Sequence, residues 1–189
     1  MNNPLSKTLA LIASVALAAC GGGSDSSSDP VAATPSSYWT MDSHTYVNGG
    51  FSSQTTSTVG SRQITVAAIS TATLAGGDTS NGAYSGSALS ISFVAKGAGT
   101  YTVVPDTAAL LASDPATNPM VVQSNVGIGV TTGATLYTAS TGQVTVIVDS
   151  AGKYHFDSVG TLPTAKTIDV LGGVAGAPGS MALTVHDAS

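Results

Sequence analysis

Glutamate is absent from this 189-residue chain, and charge of either sign is scarce. Charged residues make up 8% of it, all ten acids are aspartate, and five side chains are Lys or Arg, for a net charge of −5. Beyond residue 19 the basic side chains are Arg62, Lys96, Lys153 and Lys166. A basic footprint is therefore missing, and nucleic acid is not expected as a partner. Glu and Lys are the usual formers of exposed helix, so their scarcity argues against a helical protein. The one cysteine, Cys20, leaves no pair for an intrachain disulfide, so stability has to come from ordinary burial. No apolar run reaches the roughly 20 residues that a spanning helix needs. What remains is a surface of Ser, Thr, Asn and Gly, a composition common in exported β-proteins.

The first residues have three parts. Met1 to Lys7 is short and carries one positive charge, Thr8 to Leu17 is apolar, and Ala18-Ala19 supply the small residues before a cleavage site. Cys20 follows directly, and behind it comes Gly21-Gly22-Gly23-Ser24-Asp25-Ser26-Ser27-Ser28. Leu17-Ala18-Ala19-Cys20 resembles the lipobox of a bacterial lipoprotein signal. The resemblance covers about the first 28 residues. It implies that the Cys20 thiol receives a diacylglyceryl group, that residues 1–19 are removed, and that the new N-terminus is acylated, palmitate being the usual chain. Buried acyl chain contributes about 0.8 kcal/mol per methylene and stable anchoring takes two chains, so such an anchor would be close to permanent. Gly21 stands where the family's inner-membrane retention signal would be Asp, which implies the outer membrane.

Residues 20–37 then form a lipidated cysteine and a Gly/Ser/Asp/Pro-rich tether, too poor in large side chains to order itself by burial. As a coil, seventeen such residues reach about 20–25 Å. Residues 38–189 are long enough for one domain with its own core.

Alternation with a period of two runs through that domain. Leu89, Ile91, Phe93 and Ala95 point one way, and Ser90 and Ser92 the other. Val144, Val146 and Val148 alternate with Thr145 and Ile147. Tyr154 and Phe156 alternate with His155 and Asp157, and Met181, Leu183 and Val185 with Ala182, Thr184 and His186. Val126, Ile128 and Val130 alternate with Gly127 and Gly129. Further strands are expected over 62–71, 100–105 and 135–139. Hairpins are expected at Asp42-Ser43, between 38–41 and 44–47, and at Lys96–Gly99, Ser140–Gly142 and Asp149–Gly152. Asp106-Thr107 can cap a short helix over Ala108–Ala112, stopped by Asp114-Pro115. Gly172–Gly179 reads as a loose surface loop. The expectation is an all-β fold, an antiparallel β-sandwich or barrel of about nine or ten strands. Trp39-Thr40-Met41-Asp42 to Tyr46, with the later Gly99-Thr100-Tyr101, resembles uncharacterised β-rich lipoprotein domains, a resemblance that brings no site residues with it.

The strongest chemical candidates are His155, Asp157, His186 and Asp187. His155 and Asp157 share a strand face, and imidazole and carboxylate ligands from two neighbouring strands could converge on a metal. Strand parity instead sets them opposite apolar core residues, so the expectation is solvated side chains that need no partner and no metal. His44, in a hairpin, is read the same way. Ser150-Ala151-Gly152-Lys153 matches a Ser-x-x-Lys pattern but falls in a turn, and Gly82-Ala83-Tyr84-Ser85-Gly86 has its serine one place late for a nucleophile elbow. Gly172–Gly179 lacks the Gly-Lys-Ser/Thr ending of a phosphate loop. The aspartates form no calcium loop. Tyr38, Trp39, Tyr46 and Phe51 could stack on a sugar or a partner, or could close one end of the core. No catalytic residue, metal or cofactor is assigned, and Cys20 is the one site residue. The expected function is that of a non-enzymatic binding or envelope-interaction module, lipid-anchored in the cell envelope at the outer membrane through Cys20, its protein or glycan partner unidentified. A structural or assembly accessory working by strand addition, and a secreted hydrolase, are the alternatives.

Overall fold

Side-chain alternation, where it occurs, turns each strand's apolar set inward, and the structure shows what those faces enclose. A computed structural model describes residues 37–49, 51–71, 79–129 and 133–189. Cys20 and all of the tether except Ser37 lie outside the described residues. In chain order come β1 (Tyr38–Met41), β2 (His44–Val47), β3 (Ser52–Val59), β4 (Arg62–Ser70), β5 (Ser87–Phe93), β6 (Gly99–Val103), α1 (Thr107–Ala112), β7 (Pro119–Gly129), β8 (Gly133–Ala139), β9 (Gln143–Val148), β10 (Tyr154–Ser158), β11 (Leu162–Val170) and β12 (Ser180–His186).

All twelve strands belong to one sheet that curls into a half-barrel. Its main path runs β10-β9-β6-β7-β8-β11-β12-β1-β2, and β5, β4 and β3 extend from the other edge of β7. Every pairing is antiparallel except β6 with β7. β7 organises the whole: β5 lies along one edge of it, while β6 takes the start of the other edge and β8 the rest. The all-β expectation holds, and the two strands beyond the ten expected are β3 and β11.

The core lies inside the curl. Trp39, Tyr46, Leu89, Ile91, Phe93, Tyr101, Tyr137, Val146, Phe156 and Leu183 are all buried there. Phe93 sits at its centre, edge-on to Tyr101, Tyr154 and Phe156 at centroid distances of 5.5, 5.1 and 5.5 Å, the arrangement aromatic quadrupoles favour. A smaller cluster of Ile64, Leu110 and Val121 lies on the opposite face of the sheet, beneath α1. That helix starts as its sequence predicts, with Asp106 Oδ1 accepting from the Ala109 N–H at 2.7 Å.

Two expected hairpins are corrected. Lys96–Gly99 does not join paired strands, because β7 lies between β5 and β6. Ser140–Gly142 leads from β8, which pairs with β7 and β11, to β9, which pairs with β6 and β10. Both short Gly-containing loops are corners between limbs of the sheet. The first is tied by Tyr101, whose hydroxyl accepts from the Lys96 N–H and donates to the Gly97 carbonyl, each at 3.0 Å. The hairpins at Asp42-Ser43 and Asp149–Gly152 form as expected.

Gly172–Gly179 is also corrected. It is a loop with most of its residues exposed, as expected, but it is not loose: Val174 is buried in the core, and the Tyr137 hydroxyl donates to the Pro178 carbonyl at 2.8 Å. Thr135 Oγ1 accepts from the Val174 N–H at 3.0 Å and donates to Asp169 Oδ1 at 2.8 Å. Gly173, at φ 69°, has backbone that a side chain would strain, and a Cβ there would run into the Asp169 carboxylate. The glycines let this segment close down on one end of the barrel.

Candidate functional site: a knitted seam and an open edge

The aromatic set at the start of the domain mostly builds core. Trp39 and Tyr46 are buried with stacked rings 5.9 Å apart. Trp39 Nε1 donates to Ser87 Oγ at 2.8 Å, and the Tyr46 hydroxyl to the Tyr84 carbonyl at 2.7 Å. Burial holds the Tyr46 phenol above its usual range and pushes that of Tyr137 up to about 12, so both remain donors. Tyr38 packs its ring 5.0 Å from that of His186, and Phe51 is 44% exposed. No exposed stacking platform forms from the four.

The histidine–aspartate set faces outward, as strand parity predicts, but its members are not the unpartnered side chains expected. β10 and the chain just past β12 are neighbours. The Phe156 N–H donates to the Ala188 carbonyl at 2.9 Å and the Ala188 N–H returns the bond at 3.0 Å. Asp187 makes this possible by adopting φ 43°, a left-handed conformation that Asp tolerates better than most residues. Around that bridge, side chains do the stitching. Ser158 Oγ accepts from the Val185 N–H at 3.0 Å, and Asp157 Oδ1 accepts from the Asp187 N–H at 3.0 Å. His186 Nδ1 lies 3.0 Å from Asp157 Oδ1, and His155 Nδ1 lies 2.8 Å from Asp187 Oδ1. His155 Nε2 faces Asp149 Oδ2 at 3.3 Å.

Both nitrogens of His155 therefore face carboxylates, and only the imidazolium donates from both at once. A general base would need one nitrogen turned to a nucleophile, and here each already faces a carboxylate. Asp149 is fixed further by the Ala151 and Lys153 N–H groups, 2.8 and 2.9 Å from Oδ1. The Lys153 N–H above all, with His155, holds the Asp149 carboxyl below the usual carboxylate range. Among the described residues no three His, Cys, Asp or Glu side chains are grouped to hold a metal. Ser150-Ala151-Gly152-Lys153 forms the β9–β10 turn. His44 stacks on Tyr84 with centroids 4.5 Å apart.

The outer edge of β10 is finished by a residue that the sequence did not single out. Gln54 on β3 donates from Nε2 to the Tyr154 carbonyl at 2.7 Å and accepts from the Tyr154 N–H at Oε1, 2.9 Å away. A side-chain amide thus supplies the donor and acceptor that a neighbouring strand would. Beside it a shallow groove of about 350 Å³ lies between Ser52, Ser53 and Gln54 and the turn residues Ala151, Gly152 and Lys153.

β3 itself is different. It pairs with β4 along one edge, from Ser52 opposite Ile69 to Val59 opposite Arg62. The Ser70 N–H donates to the Phe51 carbonyl at 2.8 Å, which sets the alternation of the ladder. Phe51, Ser53, Thr55, Ser57 and Val59 turn their backbone groups to β4, so Ser52, Gln54, Thr56 and Thr58 turn theirs outward. Among the described residues nothing bonds to those outward groups. Thr55 to Thr58 are exposed on both faces. The run Ser-Ser-Gln-Thr-Thr-Ser-Thr has no apolar alternation, which is why it escaped notice; its threonines were the available signal.

No family model, curated protein or solved structure matches the chain.

Proposed function

We propose that the protein is a lipoprotein of the cell envelope, anchored through Cys20 at the outer membrane, and that its β-domain is a non-enzymatic interaction module working by strand addition. The supporting observation is the outer edge of β3, an eight-residue strand whose outward backbone donors and acceptors have no partner among the described residues. Such an edge is a template for another strand, and proteins ordinarily blunt it with lysine, proline or a bulge. β3 has none of these. The pairing of His155 and His186 with carboxylates fits a structural use of those groups better than a hydrolytic one.

Two measurements test the reading in cells. Cys20→Ser should release the protein from carbonate-washed membranes; a variant that stays bound removes the anchor. A photo-crosslinking residue in place of Thr58, beside the open edge, should give adducts, while one in place of Ile147, 52% exposed on β9, should give few. Equal yields from the two positions, or none from Thr58, would remove β3 as the working surface.

A further inference from the structure

We infer that the occupant of the β3 edge is the β3 edge of a second copy of this chain, paired antiparallel about a twofold axis through Thr55. The inference rests on the reading of β3 as the interacting edge and names its partner.

Parity of the ladder selects the register. Outward backbone groups belong to Ser52, Gln54, Thr56 and Thr58, and an antiparallel partner must present outward groups opposite them. With Thr55 on the axis, Ser52 meets Thr58 of the second copy and Gln54 meets Thr56, so all four outward residues of each copy are satisfied. Ser53 faces Ser57, and Thr55 faces itself in a non-hydrogen-bonded pair. Ser52 opposite Thr58, Ser53 opposite Ser57 and Thr55 opposite itself are hydroxyl pairs, a combination that supports cross-strand pairing, while the Gln54 amide stays on Tyr154 and Thr56 Oγ1 on Thr65. β3 carries no charged side chain, so a chain of net charge −5 meets its copy at this edge without like charges opposed. The groove between Ser52–Gln54 and Ala151–Lys153 gives the hairpin end of the second copy somewhere to lie. Both partners use the same edge, so the contact closes at two and does not propagate.

The size of the contact says where it forms. Eight residues a side is small against the roughly 20–30 a side of a standard stable interface. Free in solution the pair should be weak. Copies tethered to one membrane are confined to a thin layer, and confinement of that kind strengthens a contact by about 10²-fold or more without adding any new interaction.

The test is disulfide trapping of the full chain in isolated membranes, with the parent chain, whose only cysteine is Cys20, as background. Thr55→Cys sets the two thiols in a non-hydrogen-bonded pair with Cα atoms about 4.5 Å apart, within the range a disulfide accepts. Ser57→Cys is exposed on the same face, but its copy lies about 13 Å away in this register. Thr55→Cys should give a product of twice the chain mass, about tenfold more than Ser57→Cys or Ile147→Cys, and far less when Cys20→Ser frees the protein from the membrane. Adding Thr56→Pro removes an outward N–H at an edge position that tolerates proline, and should abolish the product while circular dichroism stays unchanged. Equal yields at the three positions would mean random collision and overturn the pairing, as would no product at Thr55. Thr58 adducts of another mass would overturn self-pairing and leave the interaction reading standing; no Thr58 adducts at all would remove both.

Discussion

β10 and β3 both lie at a margin of the sheet, yet their outer edges are treated in opposite ways. Along β10 every outward group with a described neighbour has a borrowed partner: the Gln54 amide for Tyr154 and the Ala188 backbone for Phe156, with Ser158 and Asp157 serving β12 in return. The His155–Asp187 and His186–Asp157 contacts overlie the same seam. β3 has eight residues, no charge and, among the described residues, no bond to the outward groups of its backbone. The contrast shows two uses for an unpaired ladder. Where the seam covers the core behind Phe156, the edge is sealed with whatever donors and acceptors lie near. Where the hairpin stands clear of the core, sealing adds little stability, and the edge stays available.

The comparison can be broken most forcefully at the core side of the seam. Phe156→Ala should cost about 3–5 kcal/mol, read from urea unfolding, because it empties a site packed by Phe93 and closed by the seam. A loss under 1 kcal/mol would mean that the seam encloses nothing of consequence. Gln54→Ala comes next, at about 1–2 kcal/mol, because it strands the N–H and C=O of half-buried Tyr154. Gln54→Glu sharpens this: a carboxylate accepts from the N–H but cannot donate to the carbonyl, so it should not rescue.

Acid should loosen the seam, and the Thr135–Asp169 contact beneath Gly172–Gly179, more gently. The Asp149 carboxyl is held below its usual range by the Lys153 N–H and by His155, and that of Asp169 by the Thr135 hydroxyl and by Lys166. A carboxyl depressed on folding stabilises the protein above its unfolded pKa, near 3.9 for Asp, and that contribution disappears as the pH falls through the lower folded value. The melting midpoint should therefore fall below about pH 4. Asp149→Asn and Asp169→Asn should each flatten the fall; an unchanged profile in both would show that these contacts carry no linkage. The smallest effect belongs to β3: Ser57→Ala, exposed and without a side-chain partner, should change stability by less than about 0.5 kcal/mol.

Much of the fold was legible where side chains alternate. β1, β2 and β9 match their expected limits, and the Asp106 cap marks the start of α1. β3 and β11 were illegible for one shared reason: both are largely solvent-exposed, so neither needs a period-two apolar pattern. The corners at Lys96–Gly99 and Ser140–Gly142 looked like hairpins because a short glycine loop reverses the chain equally well toward its neighbour or toward another limb of the sheet. Val174 was hidden because a lone valine among glycines carries no period at all. Of the seam, the outward direction of His155, Asp157 and His186 could be read, and their partners could not.

Sequence alone determined the inward faces. Phe156 is in and His155 out because successive strand residues point oppositely, a rule that needs only the local backbone. Which strands lie side by side was decided by the tertiary structure. His155 meets Asp187, Gln54 meets Tyr154 and Ser158 meets Val185 only because the curled sheet brings β10 to β3 and to the end of β12. Pairing is a competition among edges for partners, and its outcome depends on how the whole sheet curves to cover one core. The same curvature leaves the outward backbone groups of β3 without a bonded partner among the described residues.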